Sequence, residues 1–196
     1  ADDRAEALLH DYAMNGFFLE GCRTGEVGAP FGDGEEVPGL KGACDLLGIN
    51  YYLRLLASPG RTGARRPHEN TERQDMGWEI YPDGLYHLLK RLGEYRLPVY
   101  VTENGIATTD DTRRCRFLTD HLLRVHRAIA EGVDVRGYLH WTLMDNFEWA
   151  EGFAKKFGLV EVDRATLERR PRPSARLFQG IIQANALLPS FLSAAP

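Results

Sequence analysis

The 196-residue chain lacks any uninterrupted apolar run near the roughly 20 residues that a membrane-spanning helix requires. Its first residues also lack the basic-then-apolar pattern of a secretory signal. Positive charge is sparse: the formal net charge is -4. Arg61, Arg65 and Arg66 sit in a Gly- and Pro-containing stretch that reads as a solvated loop rather than a binding face. Nucleic acid and anionic membrane both select a clustered basic surface, so neither is expected as a partner. Cysteine is scarce as well. Cys22, Cys44 and Cys115 are odd in number and widely spaced, without a C-x-x-C pair. No disulfide framework, metal site or other cofactor can be read from them, and three reduced thiols in a cytoplasmic protein are expected.

What is present is ordinary for a globular domain: 43% hydrophobic and 27% charged residues. The chain opens on Ala1 rather than Met. Ala5, Leu8, Leu9 and Tyr12 then fall at i, i+3, i+4 and i+7, one face of an amphipathic helix with no strand or cap before it. A truncated sequence, the later part of a longer one, is the expectation.

Gly21 to Gly42 is rich in Gly, Pro and acidic residues and reads as a loop. Asp45-Leu-Leu-Gly-Ile-Asn-Tyr-Tyr52 is a short, nearly continuous apolar run, suited to a strand covered on both faces. Ala57 to Gln74 turns polar and Arg-rich, a long loop. Leu85, Leu88, Leu89 and Leu92 mark a helix entered through Pro82-Asp83, with Asp83 predicted as its N-cap. Pro98-Val-Tyr-Val-Thr102 reads as a second strand. The next helix has caps offered by Asp110, Asp111 and Thr112, an apolar face of Leu118, Leu122, Val125 and Ile129, and a stop at Gly132. Val135 to Leu143 reads as a third strand, and a last helix starts near Pro173. Strand–helix alternation implies βαβ units and a parallel sheet. Three strands suit either a small open sheet or part of a barrel, and pattern alone does not decide between them.

Two constellations carry chemistry. Glu103 follows the strand Val99–Thr102 and precedes Asn104-Gly105. A carboxylate at a strand's C-terminal end is where an α/β enzyme places a nucleophile or base, although surface and capping acids occupy such positions too. Trp141-Thr-Leu-Met-Asp-Asn-Phe-Glu-Trp149 concentrates aromatics and two acids after a strand. Indoles stack on pyranose C–H faces, and carboxylates accept paired hydroxyls. The alternative is an aromatic core with Asp145 and Asn146 capping backbone. His121 and His126 read as helix-face or core residues, His68 has no evident partner, and Asp163 reads as a turn residue.

Val101-Thr-Glu-Asn-Gly105 resembles the (I/V)-T-E-N-G nucleophile motif of glycoside hydrolase family 1. The 141–149 segment, with Gly152-Phe153 and Lys156-Phe-Gly-Leu-Val160, resembles that family's sugar-binding signature. Gly48-Ile-Asn-Tyr-Tyr52 and Met76-Gly-Trp-Glu-Ile-Tyr-Pro82 resemble two further segments, all in family order. His140 and the short loops are similar to archaeal and actinobacterial members. The resemblance implies an α/β chain that supplies the C-terminal portion, about three βα units and strands 6–8, of a (β/α)8 TIM barrel, with residues 1–196 a partial domain. It also implies Glu103 as nucleophile, Tyr52 as its hydrogen-bond donor and Asn50 beside it. Glu148 and Trp149 would bind sugar hydroxyls, Trp141 would floor that subsite with Phe157 near its wall, and Trp78 would line the aglycone site. An acid at Glu148 implies an unphosphorylated glycone, because a carboxylate repels phosphate.

The departure is as informative. The family's acid/base glutamate lies in an N-E-P motif, and this sequence contains none. Glu79 and Glu148 remain as acids, and neither is expected to substitute. The implied function is a retaining β-glycosidase of β-glucosidase type acting through a covalent glycosyl-enzyme on Glu103. Its partners would be a β-linked glycoside and the missing N-terminal half of the barrel, from the same gene or a separate chain. The chain alone would be inactive or nearly so. The competing reading is a non-catalytic sugar-binding or degenerate half-barrel.

Overall fold

The computed structural model describes residues 2–57 and 71–193. His68 and the Arg61, Arg65 and Arg66 cluster lie outside the described residues. The chain divides into two compact units, one formed by residues 1–47 and 55–69, the other by 48–54 and 70–196.

In the first unit, helix α1 (Asp2–Asp11) passes through a π-helical turn, Tyr12–Gly16, into α2 (Phe17–Thr24). Right-handed helical dihedrals at Asp11, Gly16 and Phe17 keep the run continuous. The helix therefore extends well past Gly21, where the sequence suggests a loop. Gly21 is buried inside it, because the 40–42 segment packs there: a Cβ on Gly21 would touch Leu40. Gly25, at φ +86°, ends the helix and returns its N–H to the Gly21 carbonyl. The remainder of the expected loop holds a small antiparallel pair, β1 (Glu26–Val27) with β2 (Glu35–Glu36). Phe17 packs against Tyr12, Phe18 and Phe31. The Gly42 N–H donates to the Cys22 carbonyl at 2.8 Å, and the neighbouring Cys44 thiol, with burial, raises the Cys22 pKa.

In the second unit a three-stranded sheet runs in the order β3 (Leu47–Asn50), β4 (Val99–Asn104), β5 (Val135–His140), with β4 and β5 parallel. Helix α3 (Pro82–Gly93) separates β3 from β4, and α4 (Asp111–Ala130) separates β4 from β5. After β5 come an antiparallel pair, β6 (Val160–Val162) with β7 (Arg169–Pro171), then α5 (Pro173–Ala184) and α6 (Pro189–Ser193). Sequence patterning misses the β6–β7 hairpin, since three-residue strands are too short to show a period. Its turn is tied by Asp163, whose Oδ1 accepts the Ala165 and Thr166 N–H groups.

Leu85, Leu89 and Leu92 of α3 are buried, as are Val99 and Val101 of β4 and Phe117, Leu118, Leu122 and Val125 of α4. Ile181 of α5 packs on Leu118 and Leu122. Asp110 caps α4 by accepting from Thr112 and Arg113 N–H. Asp83 does not cap α3. Tyr81 occupies that position, and Pro82 opens the helix. Asp83 lies in the first turn, where its charge suits the helix dipole and it pairs with Arg124. His121 is buried on α4, and its Nδ1–H donates to the Phe117 carbonyl at 2.8 Å, whereas His126 is exposed.

β4 runs two residues further than the sequence indicates and includes Glu103 and Asn104, while β5 stops three residues earlier, at His140. The ladder is irregular between Val101 and Asn104. Past it, the Tyr51 N–H donates to the Glu103 carbonyl and the Trp141 N–H to the Asn104 carbonyl, both at 2.9 Å. These two bonds fix the strand ends that carry the chemistry.

Candidate active site

Glu103 is held from β3. The Tyr52 hydroxyl donates to its Oε2 at 2.7 Å. The Tyr52 ring meets Trp78 at 5.5 Å and Phe157 at 6.4 Å between centroids, and Trp78 and Phe157 are 6.5 Å apart. Two rings from two other segments thus pack around one phenol. Burial, then the bond to Glu103, then the charges of Glu103 and Glu148 push the Tyr52 pKa well above the usual tyrosine range. Tyr52 consequently stays protonated and can only be the donor in this pair.

Asn104 braces the strand ends from behind. It is fully buried, its Nδ2 donates to the Tyr51 carbonyl, and its Oδ1 accepts from the Tyr138 hydroxyl, each at 2.7 Å. One side chain therefore links β4 to β5 and to the residue following β3. Gly105 is required next: a Cβ there would lie 1.8 Å from the Trp141 carbonyl oxygen. Asn50 meets β4 one residue before Glu103, where its Oδ1 accepts from the Thr102 hydroxyl at 2.8 Å.

Residues 141–158 supply the other wall. The Trp141 side chain lies near enough to the Glu148 carboxylate to favour its charged form. Burial, followed by the neighbouring charges of Glu103 and Glu151, raises the Glu148 pKa. Trp149, next in the chain, is 80% exposed. The loop is anchored at its base by Asp145, which is buried. Its backbone N–H donates to the Val160 carbonyl at 3.0 Å. Its Oδ1 accepts from Gly158 N–H at 2.9 Å, and its two oxygens accept the Arg172 guanidinium at 3.1 and 2.8 Å. The two acids of the 141–149 segment thus divide: Asp145 caps and pairs inside the fold, while Glu148 faces the site.

Glu79 is 1% exposed, and both its oxygens are taken by Arg54, at 2.8 and 3.0 Å. A carboxylate held in this way has both oxygens engaged and none turned to a substrate. Of the residues named from sequence, the structure brings Tyr52, Glu103, Trp78, Phe157, Trp141 and Glu148 together. Reasoning from sequence overlooks Asn104, Arg54 and Arg172, whose partners lie far away along the chain. Among the described residues no group of His, Cys, Asp and Glu could hold a metal ion, and no helix is long and apolar enough to cross a membrane.

Residues 19–187 match the family model described as Glycosyl hydrolase family 1. The chain is 40% identical over 185 residues to a beta-galactosidase of Sulfolobus acidocaldarius, covering 87% of this chain and 37% of the relative. It is 34% identical to a 1,4-beta-D-glucan glucohydrolase of Thermotoga neapolitana, covering 95% and 47%. Among solved structures, a beta-glycosidase from Pyrococcus horikoshii superposes with a TM-score of 0.86 at 39% identity, covering 99% of this chain and 47% of that one. A beta-glucosidase from Thermotoga maritima, in complex with castanospermine, superposes at 0.82 with 30% identity, covering 96% and 48%. These neighbours are TIM barrels, and this chain corresponds to part of that fold. It spans between about a third and a half of the length of the curated relatives it matches. The chain belongs to glycosyl hydrolase family 1.

Proposed function

We propose that this chain carries the nucleophile side of a retaining β-glycosidase, with β3, β4 and β5 as strands 6, 7 and 8 of one (β/α)8 domain. The observation that supports this most directly is the 2.7 Å hydrogen bond from Tyr52 to Glu103 within the Trp78–Phe157 aromatic enclosure. A neutral phenol donating to a carboxylate at a strand end fixes the direction in which that carboxylate points.

In the proposed reaction a Glu103 oxygen attacks the anomeric carbon while the glycosidic C–O bond breaks. The departing oxygen takes a proton from an acid. Water then displaces Glu103 from the glycosyl ester, giving up its proton to the same residue. A retaining enzyme places these two carboxyl groups about 5–5.5 Å apart. Glu79 is closed off by Arg54, and Glu148 lies beside Trp141, on the side assigned to the glycone. We assign the acid to barrel residues outside this chain, supplied by the same gene or by a separate chain. Glu148, Trp141 and Trp149 hold the glycone, with Trp78 on the aglycone side, and Glu148 favours an unphosphorylated sugar because it would repel phosphate. Without that acid the chain is inactive, or nearly so, on ordinary glycosides.

Formation of the ester from a 2-deoxy-2-fluoro β-glycoside with a dinitrophenolate leaving group needs no acid. Combined with the rest of the barrel, the protein should gain one fluorosugar, mapped by peptide mass spectrometry to Glu103 and absent in Glu103→Gln. Failure of the parent to label under these conditions would leave the non-catalytic sugar-binding remnant as the better reading.

A further inference from the structure

We infer that Arg54 and Glu79 are positioning residues that set Trp78 against Tyr52 and so shape the aglycone side of the site. This rests on the glycosidase reading above and adds to it two residues that touch neither sugar nor nucleophile. The argument begins with chain adjacency. Arg54 follows Tyr52 by two residues, and Glu79 follows Trp78 by one. An ion pair between them fastens together the two backbones that present the rings meeting at 5.5 Å.

The pair is built rather than incidental. Arg54 is a fork on both Glu79 oxygens, at 2.8 and 3.0 Å, with Glu79 1% and Arg54 34% exposed. Such bidentate geometry fixes orientation as well as distance. The guanidinium also lies 3.9 Å from the centre of the Tyr81 ring. The Tyr81 carbonyl in turn accepts from the Tyr51 hydroxyl. Trp78 itself sits in a tight backbone turn. Gln74 N–H donates to the Trp78 carbonyl at 3.0 Å, and Ile80 N–H to the Glu72 carbonyl at 2.9 Å. One side of that turn is anchored to the exit of β4, where the Asp75 N–H and the Gln74 Oε1 bond to the backbone of Ala107. The Arg54–Glu79 pair anchors its other side to the exit of β3. With the pair removed, the 72–75 side keeps its bonds to Ala107, Arg113, Arg116 and Lys155, while the side bearing Trp78 and Glu79 keeps, among the described residues, only the Tyr51–Tyr81 bond as a link to the exit of β3.

A purely structural pair would predict loss of stability alone, so the test separates steps that involve the aglycone from those that do not. Arg54→Met alone leaves a buried, unpaired carboxylate and risks unfolding. The matched Arg54→Met/Glu79→Leu double variant removes both charges, and Arg54→Lys keeps the charge while losing the fork. In the full-length protein, kcat/KM for β-glycosides with bulky aryl aglycones should fall about tenfold or more in both variants. The kcat for a dinitrophenyl glycoside, limited by breakdown of the glycosyl-enzyme after the aglycone has left, should stay within about twofold. Equal losses in both parameters, or none in either, would overturn the inference. A second readout needs no turnover. In a Trp141→Phe/Trp149→Phe background, the acrylamide-quenched signal lost on adding Trp78→Phe isolates Trp78, and its quenching should increase in the double variant. Unchanged quenching would overturn the positioning role. A parent protein that turns over no β-glycoside would instead count against the glycosidase reading, with the quenching comparison still deciding whether the pair positions Trp78.

Discussion

Replacing Asp145 by alanine should destabilise the protein by about 4 kcal/mol, the middle of the range for breaking a buried ion pair. The figure follows from what the carboxylate does. Its side chain is 2% exposed and that of Arg172 is 13% exposed. Its loss strands a largely buried guanidinium and leaves the Gly158 N–H, bonded at 2.9 Å, without an acceptor. The backbone cannot close the gap, because Gly158 is already so near that a Cβ there would lie 2.3 Å from the Asp145 nitrogen. Against a typical folding stability of about 5–15 kcal/mol this is a large fraction. With a urea m-value near about 2 kcal/mol/M, the unfolding midpoint should drop by about 2 M. Asp145→Asn preserves the shape and the bond to Gly158 but leaves the Arg172 charge unpaired, and should lose somewhat less than alanine, about 3 kcal/mol. The matched Asp145→Leu/Arg172→Met variant should recover much of the alanine loss, since removing both charges is far less costly than removing one. Because Asp145 anchors the loop bearing Glu148 and Trp149, Asp145→Asn should also weaken binding of a glycone-mimicking inhibitor while the protein remains folded. An alanine variant within about 1 kcal/mol of the parent, or a double variant as unstable as the single, would refute the reasoning.

Removing the Tyr52 hydroxyl with Tyr52→Phe should slow fluorosugar labelling of Glu103 by about 10- to 100-fold, the value of a hydrogen bond to a charged group; labelling at the parental rate would show that the phenol does not aim the carboxylate. Burial lowers the His121 pKa to about 4 and that of His140 to about 3. Both stay neutral in the fold but take up protons once unfolded, near pH 6.5. Their contribution is complete above about pH 6.5 and declines as pH falls toward 4, by up to about 1.4 kcal/mol per unit for each histidine. Urea melts at pH 7, 5.5 and 4.5 should show this decline, with a shallower slope in His121→Gln; flat stability across the window would contradict it. Expressed alone, the 196-residue chain should self-associate. Among its described residues β3 and β5 are both sheet edges, and Leu139 on β5 and Ile182 on α5 are 53% and 61% exposed. A monodisperse monomer with a cooperative melt by light scattering and calorimetry would argue against this.

The order of the three sheet strands and the helices between them, the buried leucines of α3 and the place of Glu103 at a strand end were legible in the sequence. Each depends on local periodicity, which neighbouring residues carry among themselves. The motif around Glu103 was legible for the same reason, being contiguous. The helix through Gly21 was not, because what tolerates that glycine is the 40–42 segment packed against it. The Asp83 cap was misplaced because Pro82 at the first helical position is equally compatible with a start one residue earlier. The supporting polar residues were hidden altogether. Glu79 stood as an open acid until the fold placed Arg54, 25 residues away, across both its oxygens. Asp145 and Glu148 were indistinguishable as two acids in one aromatic segment. Tertiary structure gave one an arginine 27 residues further on and set the other near the charge of Glu103. The sequence by itself determined which chemistry is proposed for the chain, because Glu103, Tyr52 and the aromatic residues sit in contiguous segments. Only the tertiary structure decided which carboxylates are free to act, because a charge's role depends on the burial and counter-charges that distant segments bring to it.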